Sequence, residues 1–178
     1  MTKIIAFLAL FLMLAAPAFA EEAATAPAAD KAVAAPASDG LDQPLMDDKA
    51  LTAWATGAAS ETMTFDYRNF QERFLRASPH FTKTGWQTFS SSLKNSGIFD
   101  DLRKKNLTLT ATAAKAEIKE QGAVDGKYRW TVTFPLAVHF KNTDDEESDT
   151  TQRIRLVVTR VPSSESAEGI QIASWELQ

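Results

Sequence analysis

Trp130-Thr131-Val132-Thr133-Phe134-Pro135-Leu136-Ala137-Val138-His139-Phe140-Lys141 is the stretch that decides the fold. Every second residue from Trp130 to Phe140 is apolar. The intervening set is Thr131, Thr133, Pro135, Ala137, His139 and Lys141. Successive side chains of a strand point to opposite faces, so this period of two predicts one long strand with a buried face and a mostly polar face. Proline has no N–H for a ladder, so Pro135 is expected at an edge or a bulge, where it would bend the strand.

Working outward, Val124-Asp125-Gly126-Lys127 reads as the turn that leads into this strand. The strand before it is expected over Leu107 to Glu120, with imperfect alternation: Leu107 and Leu109 are in one phase and Ile118 in the other. Two more strands are expected, at about Thr150 to Val161 and at Ile170 to Leu177. Arg153 and Arg155 alternate with Ile154 and Leu156 as a solvated face, while Arg160, in the opposite phase, falls at a frayed end. Short polar connections make neighbouring strands antiparallel.

From Leu45 to Asn106 the spacing is helical instead. Asp47 and Asp48 suit the start of a first helix, by capping and by their interaction with its dipole. Leu51 and Trp54 would share its buried face, and Gly57 and Ser60 would weaken its end. A second helix after Asp66 carries Phe70 and Phe74 and stops at Pro79. A third, after Thr82, carries Trp86, Phe89 and Leu93 and ends at Asn95-Ser96-Gly97. Ile98, Phe99 and Leu102 would add one more turn. Helices followed by a run of strands is the α+β pattern: helices packed on one face of a curved four-stranded antiparallel sheet. Its expected core includes Trp54, Phe70, Phe74, Trp86, Phe89, Trp130 and Phe134, with Pro135 shaping the bend.

The first 20 residues have the form of a secretory signal peptide: Lys3, the apolar run Ile4 to Ala16, then Ala18-Phe19-Ala20 before Glu21. The run falls short of the roughly 20 residues that a spanning helix needs. The competing reading is an uncleaved anchor. Residues 21–44 are rich in Ala and Pro, almost without large apolar side chains, and read as a flexible linker. Residues 45–178 remain as one domain, expected outside the cytoplasm.

Composition excludes several chemistries. There is no cysteine, so disulfides, thiolate metal sites and cysteine nucleophiles are ruled out. The formal net charge is −4 with no basic block, which argues against a nucleic-acid partner. No glycine-rich phosphate loop and no GxSxG occur. No cofactor and no metal are expected. His80 reads as a solvated loop residue and His139 as one on a polar strand face. Asp66, Asp100 and Asp101 are the carboxylates nearest to a possible cone-shaped pocket, but none sits in an apolar context that would raise its pKa. The run Asp144-Asp145-Glu146-Glu147 lacks the spaced oxygens and glycine of a calcium loop. It reads as a solvated hairpin turn that could meet a basic partner.

Several segments, taken in order, carry a resemblance. They are Phe65-Asp66-Tyr67-Arg68-Asn69-Phe70, then Phe81-Thr82-Lys83-Thr84-Gly85-Trp86, then Gly126 to Leu136, then Val157 to Pro162 and finally Gly169-Ile170-Gln171-Ile172. Over residues 50–175 this series resembles the IcmL/DotI family and its conjugation relatives of the TraM type. The resemblance implies a nuclear-transport-factor-two-like (cystatin-like) periplasmic domain within an inner-membrane subcomplex of a Dot/Icm-type or conjugative type IV secretion system. It implies a non-enzymatic scaffold whose partners are other secretion subunits and possible copies of itself, with the membrane reached through partners or an uncleaved N-terminal segment. It also implies a tight helix start at Gly85 and core anchors at Trp86 and Trp130. Family members usually begin with a cytoplasmic tail and a transmembrane helix, whereas this chain begins with a cleavable-looking leader. The alternative reading, from another class, is a small-ligand-binding or enzymatic cone protein unrelated to secretion.

Overall fold

The computed structural model describes residues 40–178, so the expected leader and most of the linker lie outside the described residues. Four helices lie in the first part of the domain, α1 Asp48–Thr62, α2 Phe70–Arg76, α3 Lys83–Asn95 and α4 Ile98–Lys105, with a 3₁₀ turn Ser78–His80 between α2 and α3 and a short strand between α1 and α2. The strands are β1 Phe65–Asp66, β2 Thr108–Ala113, β3 Glu117–Val124, β4 Lys127–Lys141, β5 Glu147–Arg160 and β6 Ile170–Leu177. All six belong to one sheet, and every strand pair is antiparallel.

Local chemistry explains the helix boundaries. The Asp47 carboxylate accepts from the Ala50 N–H and caps α1. Thr82 does the same for α3 through the Gly85 N–H. Gly97, at φ 77°, separates α3 from α4 with a left-handed turn that glycine adopts without strain. Gly57 and Ser60 do not end α1, which continues to Thr62 because Ala55, Ala58, Ala59 and Thr62 bury a continuous face. Tertiary packing there outweighs glycine's weak helix preference.

The expected four strands become six for two reasons. The Leu107 to Glu120 stretch is two strands, β2 and β3, interrupted at residues 114–116. Their opposite phases are the trace of that break. β1 is a two-residue element pairing Phe65 with Leu109, too short to leave a period in the sequence.

β4 is the axis of the sheet. Along one side it pairs continuously with β5, from Arg129 opposite Thr159 to Lys141 opposite Glu147. On its other side it meets β3 over residues 127–133 and then β2 over residues 136–141. Pro135 sits at the handover, where its C=O accepts from the Ala114 N–H at 2.9 Å. In an antiparallel strand a residue's N–H and C=O point the same way. The missing N–H therefore faces the gap between β3 and β2, where no strand asks for it. The expectation of an edge or a bulge at Pro135 is corrected: β4 is central and its register is unbroken there. The irregularities lie at Ile118/Glu120 in β3 and at Val157/Val158 between β5 and β6. Asp125 and Gly126, at φ 52° and 74°, make the predicted turn between β3 and β4.

The inner face of β4 and β5 packs beneath the helices, with Trp130, Val132, Phe134, Leu136, Ile154, Leu156 and Val158 buried. Thr131 and Thr133 on the opposite face are buried too, so that face is less exposed than alternation predicts. Arg160 is not frayed: it pairs with Ile170, and its Nη1 donates to the Gln43 C=O at 3.0 Å. Gly40–Pro44, placed in the linker by composition, touch the domain here, with the Tyr128 N–H donating to the Leu41 C=O at 2.6 Å.

α3 lies directly on β6. A Cβ at Gly85 would stand 2.6 Å from the Ile172 carbonyl oxygen, which real Cβ atoms do not tolerate. Gly85→Ala is therefore expected to destabilise the domain by about 1–3 kcal/mol. Gly57→Ala meets nothing within 4 Å and should stabilise it by about 0.5–1 kcal/mol. Urea denaturation of the two variants checks the opposite signs.

Candidate functional site

The expected core aromatics separate into three places. Phe70, Phe74 and Phe89 are buried and Trp86 is half-buried. Phe74 bridges them, 4.6 Å from the Trp86 ring and 6.2 Å from Phe89. Phe81, Phe99 and Trp175 complete this cluster through rings at 5.0 Å (Phe81–Phe89), 5.1 Å (Phe74–Phe99) and 4.9 Å (Phe89–Trp175). Sequence reasoning did not single out Phe81 or Trp175 as core. Phe81 lies just outside a helix and Trp175 near the end of β6, so periodicity gave them no strong signal. Trp130 and Phe134 sit apart on β4, Trp130 against Tyr128 at 4.8 Å. Trp54 stands at the rim, half-buried, its Nε1 donating to Glu168 at 2.7 Å and its ring edge-on to His80.

The acidic run is a folded hairpin rather than a free cluster. Lys141 draws in both Asp145 and Glu147 at 3.0 Å. Two acids bound to one ammonium hold its pKa above the usual lysine value. Asn142 Oδ1 accepts from the backbone N–H groups of Asp144 and Glu146, and its Nδ2 donates to Glu146. Asp144 and Glu146 meet no cation within ion-pair distance among the described residues, Glu146 being held by the Asn142 amide instead.

The carboxylates considered for chemistry are tied into surface structure. Asp66 accepts from Arg68 Nε at 2.7 Å, Arg68 Nη2 at 3.0 Å and Thr108 Oγ1 at 2.7 Å. The Arg68 guanidinium, with the Arg68 N–H and the Thr108 hydroxyl, holds the Asp66 carboxyl well below the usual carboxylate range. A group so strongly ionised is a poor base. It links β1 to β2. Asp101 pairs with Lys105 at 3.1 Å, and Asp100 is exposed. His80 lies 3.1 Å from Glu61 and His139 lies 2.8 Å from Asp149, both near the surface. Among the described residues no three His, Asp or Glu side chains gather as a metal site. The surface of the described residues includes two grooves of note. One of about 530 Å³ lies between Leu41, Leu45, Arg160 and Pro162, and one of about 430 Å³ between Glu120, Arg129, Thr131 and Val157.

A family model for DotI/IcmL proteins, described as a type IVB secretion system inner-membrane complex component, matches residues 28–178. The chain belongs to the DotI/IcmL family. The periplasmic domain of DotI is 27% identical, with a TM-score of 0.72 over 76% of this chain and 98% of that one. A periplasmic fragment of TraM is 18% identical, with a TM-score of 0.70 over 75% and 98%. An IcmL-like type IV secretion protein of Legionella pneumophila is 23% identical, with a TM-score of 0.67 over 75% and 93%. The last two show the fold alone. No curated protein matches the chain. The DotI/IcmL chain is thus a periplasmic component of type IV secretion with the nuclear-transport-factor-two-like architecture. Among the described residues no helix is long and apolar enough to cross a membrane.

A depressed Asp66 pKa has a definite sign. Its contribution to stability is present above the unfolded carboxylate value near 4 and is lost as pH falls toward the lower folded value. Asp66→Asn should cost about 1 kcal/mol at neutral pH, discounted because Arg68 is 72% exposed. The cost should shrink at pH 3. Urea titrations at both pH values measure it.

Proposed function

We propose that this DotI/IcmL protein is a non-catalytic assembly module that works by holding partner surfaces in the periplasm. The family match across residues 28–178 carries this reading. The partners are other type IV secretion subunits and copies of the same chain. The Asp144–Glu147 hairpin is the electrostatic contact offered to a basic partner, with Asp144 and Glu146 as the charges that Lys141 leaves without a cation. The core aromatics Trp54, Phe70, Phe74, Trp86, Phe89, Trp130 and Phe134, together with Pro135, keep the contact surfaces in place and take no part in chemistry. Residues 1–20 act as a cleaved leader, and residues 21–39 as a spacer between the domain and its membrane-bound partners.

Deleting the gene should abolish substrate translocation and leave growth unchanged. A C-terminally tagged chromosomal copy, purified from gently solubilised envelopes, should bring type IV secretion subunits with it and begin at Glu21. Normal translocation in the deletion strain would sink the assembly role. An intact N-terminus would replace the leader with an anchor.

A further inference from the structure

Charge is unevenly divided along this chain. Residues 67–106, which hold α2, α3 and α4, carry eight Lys or Arg and three Asp or Glu. That is a net charge of +5 inside a chain whose formal net charge is −4. All eight cations are exposed. Aromatic contacts join the three helices into one layer: Phe74 of α2 lies 4.6 Å from Trp86 of α3 and 5.1 Å from Phe99 of α4.

Pairing removes only part of this charge. Arg68 meets Asp66, Arg76 meets Glu72 and Lys105 meets Asp101. Arg73, Lys83, Lys94, Arg103 and Lys104 meet no carboxylate within ion-pair distance among the described residues, and Asp100 is the one acid of residues 67–106 left to balance them. Helix stability accounts for some of these positions: cations in the last turns of α2 and α4 favour the helix dipole. It does not account for α3. Lys83 stands in the first turn, where a cation opposes the dipole, and no acid sits in that turn. Lys94 lies about three helical turns further on, so the two lysines share one flank of a helix that carries no acid at all. On α2, Leu75 is 65% exposed, the most exposed large apolar side chain among the described residues.

Exposed cations around a protruding apolar side chain suit an anionic lipid surface. The headgroups attract the cations, and the interface takes up the apolar chain. Headgroups are mobile, so they need charge and reach rather than a fixed complementary shape. A protein partner needs that shape, and both grooves noted above are lined without a residue of α2, α3 or α4. The family description places the complex at an inner membrane.

We propose that α2, α3 and α4 form a face that docks reversibly on anionic phospholipid headgroups, through Arg73, Lys83, Lys94, Arg103 and Lys104, with Leu75 entering the interface. This goes beyond the assembly reading, because it gives the domain a contact with the bilayer that depends neither on partner subunits nor on the leader.

The test is co-sedimentation of the chain, purified from cell envelopes, with vesicles of phosphatidylcholine alone and of equal parts phosphatidylcholine and phosphatidylglycerol. At about 0.1 M salt the wild type should bind the anionic vesicles about tenfold more tightly or better, and the preference should fade as added salt shortens the screening length. Lys83→Gln and Lys94→Gln should each weaken that binding about fivefold, and Leu75→Ser about tenfold. Lys115→Gln, which removes an exposed cation between β2 and β3, should leave it unchanged. Unchanged circular dichroism shows that the variants fold. Equal binding to both vesicles would assign the contact to the apolar leader and overturn the proposal. So would no binding, or an equal loss from Lys115→Gln. If the Lys83 and Lys94 variants spare lipid binding but lower recovery of secretion subunits, the face belongs to an acidic protein partner; the lipid contact is then lost and the assembly role stands.

Discussion

The sheet is organised around one missing hydrogen-bond donor. β4 is long enough to take two strands end to end along one side while pairing with β5 along the whole of the other. A proline in the middle of such a strand would break a continuous ladder. Here Pro135 falls where β3 gives way to β2, and its carbonyl still finds the Ala114 N–H in the interruption. The break, the proline and the change of partner are one feature. It lets β2 turn toward α1 and leaves β3 to run free.

The helices then act chiefly as covers. α1 and the turn after it reach over β2 with Ser60 and Thr64, and α3 closes on β6 through the bare Cα of Gly85. Each device satisfies backbone groups or admits close approach where a larger side chain would not fit. Between these covers, aromatic rings from α2, α3, α4 and β6 fill the concave side of the sheet. The result is an aromatic-filled sheet with exposed hairpins, in a member of the DotI/IcmL family.

Electrostatics follows the same logic. Asp66 is strongly ionised because it tethers β1 to β2 through Arg68 and Thr108. Lys141 gathers two of the four acids of the β4–β5 hairpin, so the run's apparent charge density is partly neutralised within the turn. A run of like charges in sequence is thus not a run of like charges in space.

The long strand, the turn at Asp125-Gly126, the three caps at Asp47, Thr82 and Gly97, and the α+β class were legible in the sequence, because period and capping are local properties. Most of the aromatic core was legible for the same reason. The sequence by itself also carried enough pattern to mark the family. What it could not place were the contacts between distant residues. The two-residue β1 has no period. The split between β2 and β3 showed only as a phase slip. The persistence of α1 through Gly57 depends on the face that Ala58 and Ala59 bury. Which strand edge stays open was decided by tertiary structure alone. Edge coverage depends on where Ser60, Thr64 and Gly85 come to lie relative to strands some 50 to 90 residues away, and no local pattern encodes that distance.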